Sequence, residues 1–532
     1  MKTVALLAIV TIGLLGLLAP SNAPLPAPTG QPLLGDELQR AMEENRASAT
    51  VQADREVQDL LYPYTDFADA ETLAQIIFSE DGPSRTVTLA EAQEDIVFLF
   101  QMFKYGYCMY AAFGGDEAFD EAREAILDEL EGDDSTDAIR VADLTALILR
   151  HLRFIQDGHA AFAGVPLYVR ERWFRNSRYE FLKDDVGYYV AKEPFSLRAL
   201  FSSDDERTYL ASVDDGPPDE SLALSLSADG ELVYILSRLS SQQSGKLPVQ
   251  AALATDGWTA ERTITLHRQS GSPFQEALRD ILFDAGVTYT LRFEGDIPVV
   301  VNRNTLPASA SAVEELKQFI AGAATVNEAP VAILDLRNHG GGQAEYPLEW
   351  TKVFMGQNFA RDRLWIELQT RVSLRLHRYF ARWYYTGNPE RAAIAETYFD
   401  ERIAYVDTDP MAPENAWHMS SKLNEEADLL PNDTVLFVLM DAETGSAGEE
   451  FVEILRLFEN VILVGENTEG LTVSGSPGWG ILPHSGLPFT VTIGMSVEDV
   501  LADREGVGAF PDLWVDSRHA LDRVLKFIES RQ

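Results

Sequence analysis

The stretch Asp441-Ala-Glu-Thr-Gly-Ser-Ala-Gly-Glu-Glu450 decides the reading of this chain. An apolar run, Val435-Leu-Phe-Val-Leu-Met440, leads into it and predicts a buried strand. Phe451, Ile454, Leu455 and Phe458 follow at helical spacing and predict a helix with one apolar face. Ser446 therefore stands where a strand turns into a helix. The first N–H groups of a helix have no intrahelical acceptor and sit at the positive end of its dipole, so they favour a developing oxyanion. That placement suits a nucleophile. The competing reading is local: Thr444 or Ser446 caps the helix and does nothing more.

Working outward, Val331-Ala-Ile-Leu-Asp-Leu336 predicts a second buried strand, which runs into Arg337-Asn-His-Gly-Gly-Gly342. Three consecutive glycines let the backbone turn and bring N–H groups close to a ligand. Between the two segments, residues 351–430 are rich in arginine and aromatics, including Trp365, Tyr379, Trp383, Tyr384 and Tyr385. They predict a helical insertion that either packs into the core or covers the site as a lid. Beyond Ser446 come a strand at Val461-Ile-Leu-Val464, a turn at Gly465-Glu-Asn-Thr-Glu-Gly470 and an alternating strand through Phe489, Val491, Ile493 and Met495. A last helix, with Asp516 as its cap, carries Leu521, Val524, Leu525 and Ile528. Residues 276–532 thus read as an α/β unit.

Toward the N-terminus the character changes. Residues 169–275 read as a small β-rich module with strands at 187–191, 209–213, 232–236 and 262–268. Residues 85–168 read as a helical domain that opens on the capping box Thr88-Leu-Ala-Glu91. On its first helix Ile96, Phe100, Phe103 and Tyr107 share one face. The domain ends in Phe154-Ile-Gln-Asp-Gly-His-Ala-Ala-Phe162, where a helix stops at Asp157-Gly158 and His159 follows. Read alone, His159 is either a loop histidine or a functional one. Residues 24–84 form an acidic N-terminal segment that starts with the extended tether Pro24-Leu-Pro-Ala-Pro28. Residues 1–23 have the pattern of a secretory signal peptide: Lys2, an apolar core from Val4 to Ala19, and small residues at Ser21-Asn-Ala23. A retained anchor is the alternative. The pattern predicts a secreted or periplasmic protein with no integral membrane span once the signal is removed.

The formal net charge of −41 repels phosphate backbones and argues against nucleic-acid binding. Cys108 is the only cysteine, so there is no intrachain disulfide and no cysteine-based metal site. No His-Glu-x-x-His pattern occurs either, and the sequence implies no metal and no cofactor.

Three of these pieces together resemble the S41 family of serine peptidases, the C-terminal processing and tricorn-core proteases. Asp335-Leu-Arg-Asn-His-Gly-Gly-Gly342 is similar to the family's Asp-Leu-Arg-x-Asn-x-Gly-Gly segment. Thr444-Gly-Ser-Ala-Gly-Glu449 is similar to its nucleophile turn, and Glu505-Gly-Val-Gly-Ala-Phe-Pro-Asp512 to its closing Gly-x-Gly-x-x-Pro-Asp segment. Asp157-Gly-His159 matches the family's Asp-x-His motif more distantly. The resemblance implies a multidomain α+β protein: a helical N-terminal domain, a β module in the place of the family's PDZ domain, and a ClpP/crotonase-like catalytic domain. One branch of the family activates serine with a lysine, but Leu471 stands at that position here. The other branch uses a Ser-His-Glu set, and the matching residues are Ser446, His159 and Glu505.

On that resemblance His159 is the general base and Glu505 orients it. The N–H groups of Ala447 and of Gly341 or Gly340 hold the oxyanion, and Asp335 and Arg337 brace the glycine loop. His339 replaces the family asparagine and is the alternative base. The implied function is an exported serine peptidase acting on a peptide or protein substrate through an acyl-enzyme on Ser446. A non-catalytic carrier of a hydrophobic ligand or peptide on the same scaffold is the rival. A serine hydrolase acting on esters is a third reading. Gly445-Ser-Ala-Gly448 lacks the full Gly-x-Ser-x-Gly elbow, which weighs against an α/β-hydrolase. The sequence sets no oligomeric state.

Overall fold

The computed structural model describes residues 31–48, 56–76, 82–131, 138–193, 207–255, 257–268, 288–357, 364–385, 387–408, 416–419, 429–502 and 504–531. The expected signal peptide and proline-rich tether lie outside these residues.

The first described elements are helices α1 (Gln31–Ser48) and α2 (Ala70–Ala74) and a short strand β1 (Thr86–Thr88). Helix α3 (Leu89–Gly106) starts from the expected capping box: Glu91 N donates to Thr88 Oγ1 at 3.2 Å and Thr88 N donates to Glu91 Oε2 at 2.7 Å. Helix α4 (Gly115–Glu131), strand β2 (Ala138–Arg140) and helix α5 (Val141–His151) follow. The expected face of α3 is realised, since Ile96, Phe100, Phe103 and Tyr107 are all buried.

The chain then enters strands rather than a loop. β3 (Asp157–Phe162) and β4 (Val165–Leu167) form a hairpin, and His159 lies within β3. The helical stop expected at Asp157 thus falls earlier, at the end of α5, and the polar run 157–159 belongs to a strand whose Asp157 pairs with Leu167 of β4.

Strands β5 (Arg172–Lys183), β6 (Tyr188–Lys192), β7 (Tyr209–Val213), β8 (Leu222–Leu226), β9 (Leu232–Ser240), β10 (Lys246–Thr255) and β11 (Trp258–Arg268) build the β module. Their order is β11-β10-β7-β6-β5-β9-β8, and an extra pairing of β11 with β5 closes five of them into a ring around Phe174, Phe181, Val249, Ala251 and Leu266.

The α/β part supplies β12 (Tyr289–Glu294), β13 (Ile297–Asn302), α6 (Ala310–Asn327), β14 (Val331–Asp335) and α7 (Glu345–Met355). Next come β15 (Trp365–Leu368), α8 (Arg371–Tyr384), α9 (Pro389–Thr408) and β16 (Trp417–Met419). The remainder is β17 (Val435–Met440), α10 (Ala447–Leu455), β18 (Val461–Gly465), β19 (Ser474–Ile481), β20 (Pro488–Ser496), α11 (Val497–Ala502), β21 (Leu513–Trp514) and α12 (Ala520–Glu529).

One sheet runs β12-β13-β14-β17-β18-β21, parallel from β13 onward. A parallel sheet is covered on both faces, which is why β17 reads as an unbroken apolar run. On one face Leu436, Val438 and Met440 pack with Phe319, Trp350, Phe354 and Phe451 from α6, α7 and α10. On the other, Val435, Phe437 and Leu439 pack with Val524, Phe527 and Ile528 of α12 and with Leu34, Leu38 and Met42 of α1.

A second sheet, β16-β15-β20-β3-β4 with β19 beside β20, shares one core with helices α3 to α5. The site lies where the two sheets meet. Asp516, expected to cap α12, instead takes the guanidinium groups of Arg175 and Arg518, and the helix begins at Ala520.

Phe451 joins the helix behind Ser446 to the sheet: its ring lies 5.3 Å from Trp350 and 6.1 Å from Phe319 by centroids. Replacing Phe451 with alanine is expected to cost about 3–5 kcal/mol of stability. Urea unfolding of the full chain checks this, and a cost below 1 kcal/mol would show that the helix is not anchored there.

Candidate active site

The strand β17 delivers the chain to Asp441, and three backbone contacts shape the turn that follows. Gly445 N donates to the carbonyl of His339 at 2.9 Å, Glu469 N donates to the carbonyl of Thr444 at 2.8 Å, and Thr444 N donates to the carbonyl of Asp441 at 2.9 Å. Ser446 sits at φ 53°, ψ −120°, a region that non-glycine residues avoid. It is therefore not a simple cap. The geometry is that of a sharp strand-to-helix elbow, despite the incomplete glycine pattern around it.

His159 reaches this serine from the other sheet. Its Nε2 lies 3.0 Å from Ser446 Oγ, across 287 residues of sequence. The strand that carries it is pinned by Asp157, which is fully buried. Asp157 accepts from His159 N at 2.9 Å and Ala160 N at 3.2 Å. It also accepts from Tyr107 Oη at 2.8 Å, Ser474 Oγ at 2.7 Å and Thr492 Oγ1 at 3.0 Å. Burial lowers the His159 pKa below the usual histidine value, against the pull of Asp157, so the ring is neutral and able to take a proton.

Glu505 stands beside His159 without bonding to it. Its Oε1 accepts from Gly158 N at 2.7 Å, and its Oε2 accepts from Thr472 N and Val473 N, each at 3.2 Å. His159 Nδ1 is buried and has no hydrogen-bond partner among the described residues. Gly158 is needed for this fit: a Cβ there would lie 2.0 Å from Leu471 Cδ2 and 3.1 Å from Glu505 Oε1. Leu471 fills that space. Burial and the nearby charge of Asp157 push the Glu505 carboxyl well above the usual range, against the N–H groups that favour its charge.

The glycine loop is braced by charge. Asp335 pairs with Arg337 (Oδ2 to Nη2, 2.6 Å) and with Arg303 (Oδ1 to Nη1, 3.1 Å). Burial opposes the charge on Asp335, but the two guanidinium groups outweigh it and hold the carboxyl far below its usual range. His339 packs inside this loop. Its Nδ1 accepts from Gly341 N at 3.2 Å, and burial lowers its pKa to about 4. No hydrogen bond joins it to Ser446 among the described residues. Gly340 N donates out of the loop to the carbonyl of Arg303 at 3.1 Å, and Gly341 N donates within it to His339, so both N–H groups are engaged. Ala447 N, the first of α10, has no intrahelical acceptor. Gly341 closes on the serine, and a Cβ there would lie 2.9 Å from Ser446 Cβ.

One residue that the sequence reading gave no role proves central. Glu449 is fully buried and accepts from Ser446 N (3.2 Å), Gly470 N and Leu471 N (2.7 Å each) and Thr468 Oγ1 (2.5 Å). It thereby ties the serine elbow to the turn that holds Glu505. The spacing Ser446-x-x-Glu449 is that of a capping box and was the signal available for it. Burial raises its pKa to about 7 despite these four donors.

The two histidines and Ser446 face unequal surroundings, because a cleft of about 580 Å³ opens over His159, Ser446, Ala447, Gly340 and Gly342 but not over His339. Helix α8 forms its far wall.

Residues 300–478 match the model of peptidase family S41, a span that holds the glycine loop and Ser446. This part of the chain makes the protein a serine-type peptidase, S41-like, and its substrate a peptide or protein. No curated protein matches the sequence. Among solved structures, mature CPAF is similar at 13% identity and a TM-score of 0.37, covering 83% of this chain and 96% of that one. The photosystem II D1 C-terminal processing protease is similar at 14% identity and 0.33, covering 80% and 93%. A lipoprotein from Streptococcus agalactiae is similar at 10% identity and 0.33, covering 86% and 100%.

The buried carboxyls set a pH dependence. Burial raises Glu449, Glu466, Glu469 and Glu505, so the folded chain holds protons that the unfolded chain releases above the usual glutamate value of 4.5. Stability therefore falls as pH rises from 4.5 through about 7. Asp335 and Asp516 act oppositely: their lowered values stabilise the fold above 3.8, and that contribution is lost in acid. Buried His159 and His339 also oppose the glutamates up to 6.5, because the unfolded chain takes up protons there that the fold excludes, so the carboxyl contribution is read as a fall in melting temperature above pH 6.5. A melting temperature that climbs steadily from pH 5 to 8 would contradict the assignment.

Proposed function

We propose that the protein cleaves peptide bonds through an acyl-enzyme on Ser446, with His159 as general base and Glu505 as its partner, in the manner of the Ser-His-Glu branch of the family. The observation that carries this reading is the 3.0 Å contact between His159 Nε2 and Ser446 Oγ, made at a strained elbow that opens on a cleft. His159 takes the hydroxyl proton as Ser446 Oγ attacks the scissile carbonyl, and later gives it to the leaving amine. The charge on the ring then calls for an acceptor at Nδ1. Glu505, held next door by Gly158 N, is the carboxylate that reaches it by a small shift as the imidazolium forms. Ala447 N supplies one oxyanion donor. Gly341 N becomes the second once the carbonyl oxygen displaces the His339 Nδ1 acceptor. His339 serves the loop and not the proton, since its ring is committed to Gly341 and far from basic.

Export is part of the proposal and rests on the pattern of residues 1–23. Among the described residues no helix is long and apolar enough to cross a membrane.

A fluorophosphonate probe on the purified chain tests the nucleophile: labelling is expected for the native protein and absent for Ser446→Ala. His159→Ala should slow acylation by about 10⁴-fold, and Glu505→Gln by a comparable factor. His339→Ala should have a much smaller effect. Labelling that persists in Ser446→Ala, or acylation lost in His339→Ala but kept in His159→Ala, would refute the assignment.

A further inference from the structure

The cleft over Ser446 has one wall of a distinct kind. Helix α8 turns His377, Phe380, Ala381 and Tyr384 toward it, at the i, i+3, i+4, i+7 spacing of a single helical face. The rings form a continuous row: His377 to Phe380 at 6.2 Å, Phe380 to Tyr384 at 5.4 Å and Tyr384 to Tyr385 at 5.0 Å between centroids. Ala381, the small residue among them, leaves a hollow in that row. Trp365 and Leu306 line the cleft as well.

This wall is fixed relative to the nucleophile. Gln343, one residue past the glycine loop, donates from Nε2 to Tyr385 Oη, and its Oε1 accepts from Arg391 Nη1 at 3.0 Å. His377 Nδ1 donates to the carbonyl of Pro477 at 2.7 Å, and burial lowers its pKa, so the ring enters the wall uncharged. Trp383, 60% exposed, packs on Phe380 at 5.9 Å between ring centroids.

We propose that this face of α8 is the specificity-determining surface of the enzyme, and that it selects peptides with a bulky aromatic side chain next to the scissile bond. The proposal rests on the peptidase reading above. An aromatic side chain in this hollow exchanges water for ring contacts on several sides. The carboxylates that share the cleft, Glu345 and Glu450, disfavour acidic side chains there.

The full chain is first labelled with a fluorophosphonate, which reports the serine chemistry whatever the substrate preference. A separate, unlabelled portion of the native chain is given a set of quenched peptides that vary Phe, Tyr, Ala, Gly, Glu and Arg on either side of one bond. The aromatic members should exceed Ala in kcat/KM by roughly 10- to 100-fold on one side of the bond. Phe380→Ala, and the gentler Phe380→Leu in case the first does not fold, should lower the Phe-to-Ala ratio. A native preference for Gly, Glu or Arg, or a ratio unmoved in the folded variant, overturns the proposal. A native chain that takes no label sinks instead the peptidase reading on which it stands.

Discussion

Ser446 is held in a backbone conformation that an L-residue leaves whenever it can, and the rest of the site is the apparatus that prevents it. Strain of this kind costs on the order of 1–3 kcal/mol and survives only where the surroundings over-determine it. Here the carbonyl of His339 accepts from Gly445 N, Glu449 accepts from the serine's own N–H, and Glu469 N donates to the carbonyl of Thr444. Relaxed into an ordinary cap, the hydroxyl would point along the helix. At the elbow it points across the cleft to an imidazole on a different sheet.

That arrangement makes the buried carboxyls intelligible. Asp157, Glu449 and Glu505 each accept from three or more donors, and each ties a segment of the site to another that is remote in sequence. Buried charge is costly unless its hydrogen bonds are complete. The raised values of Glu449 and Glu505 are the remainder of that cost. The arginines solve the same problem differently: Arg303 and Arg337 both close on Asp335, and the pair keeps its charge.

The parts of the fold that were legible in the sequence are those whose pattern is local. The run 435–440 could only be a strand covered on both faces, and the Thr88 capping box announced α3. The meeting of Ser446 with His159 followed from a family likeness, because no local pattern joins positions so far apart. The strands β5 and β10 escape the pattern because bulges interrupt their period-two signal, and β8 because Ala223 to Leu226 are all buried and do not alternate. His159 was placed just past a helix because the glycine beside it resembles a helical stop. In fact Gly158 is small to make room for Leu471 and Glu505. Glu449 has no role in the sequence reading, because three of its four donors come from a turn that only tertiary structure brings near.

Helix α1 lies under the parallel sheet next to α12, with Leu34, Leu38 and Met42 in the same cluster as Val524, Phe527 and Ile528. Asn45 and Arg46 fasten its end to the carbonyls of Phe510 and Phe458. These two helices stand at opposite ends of the described residues, so the underside of the sheet stays open on a ribosome until synthesis has passed residue 528. The moment at which that face is covered is thus written into the order in which the segments emerge.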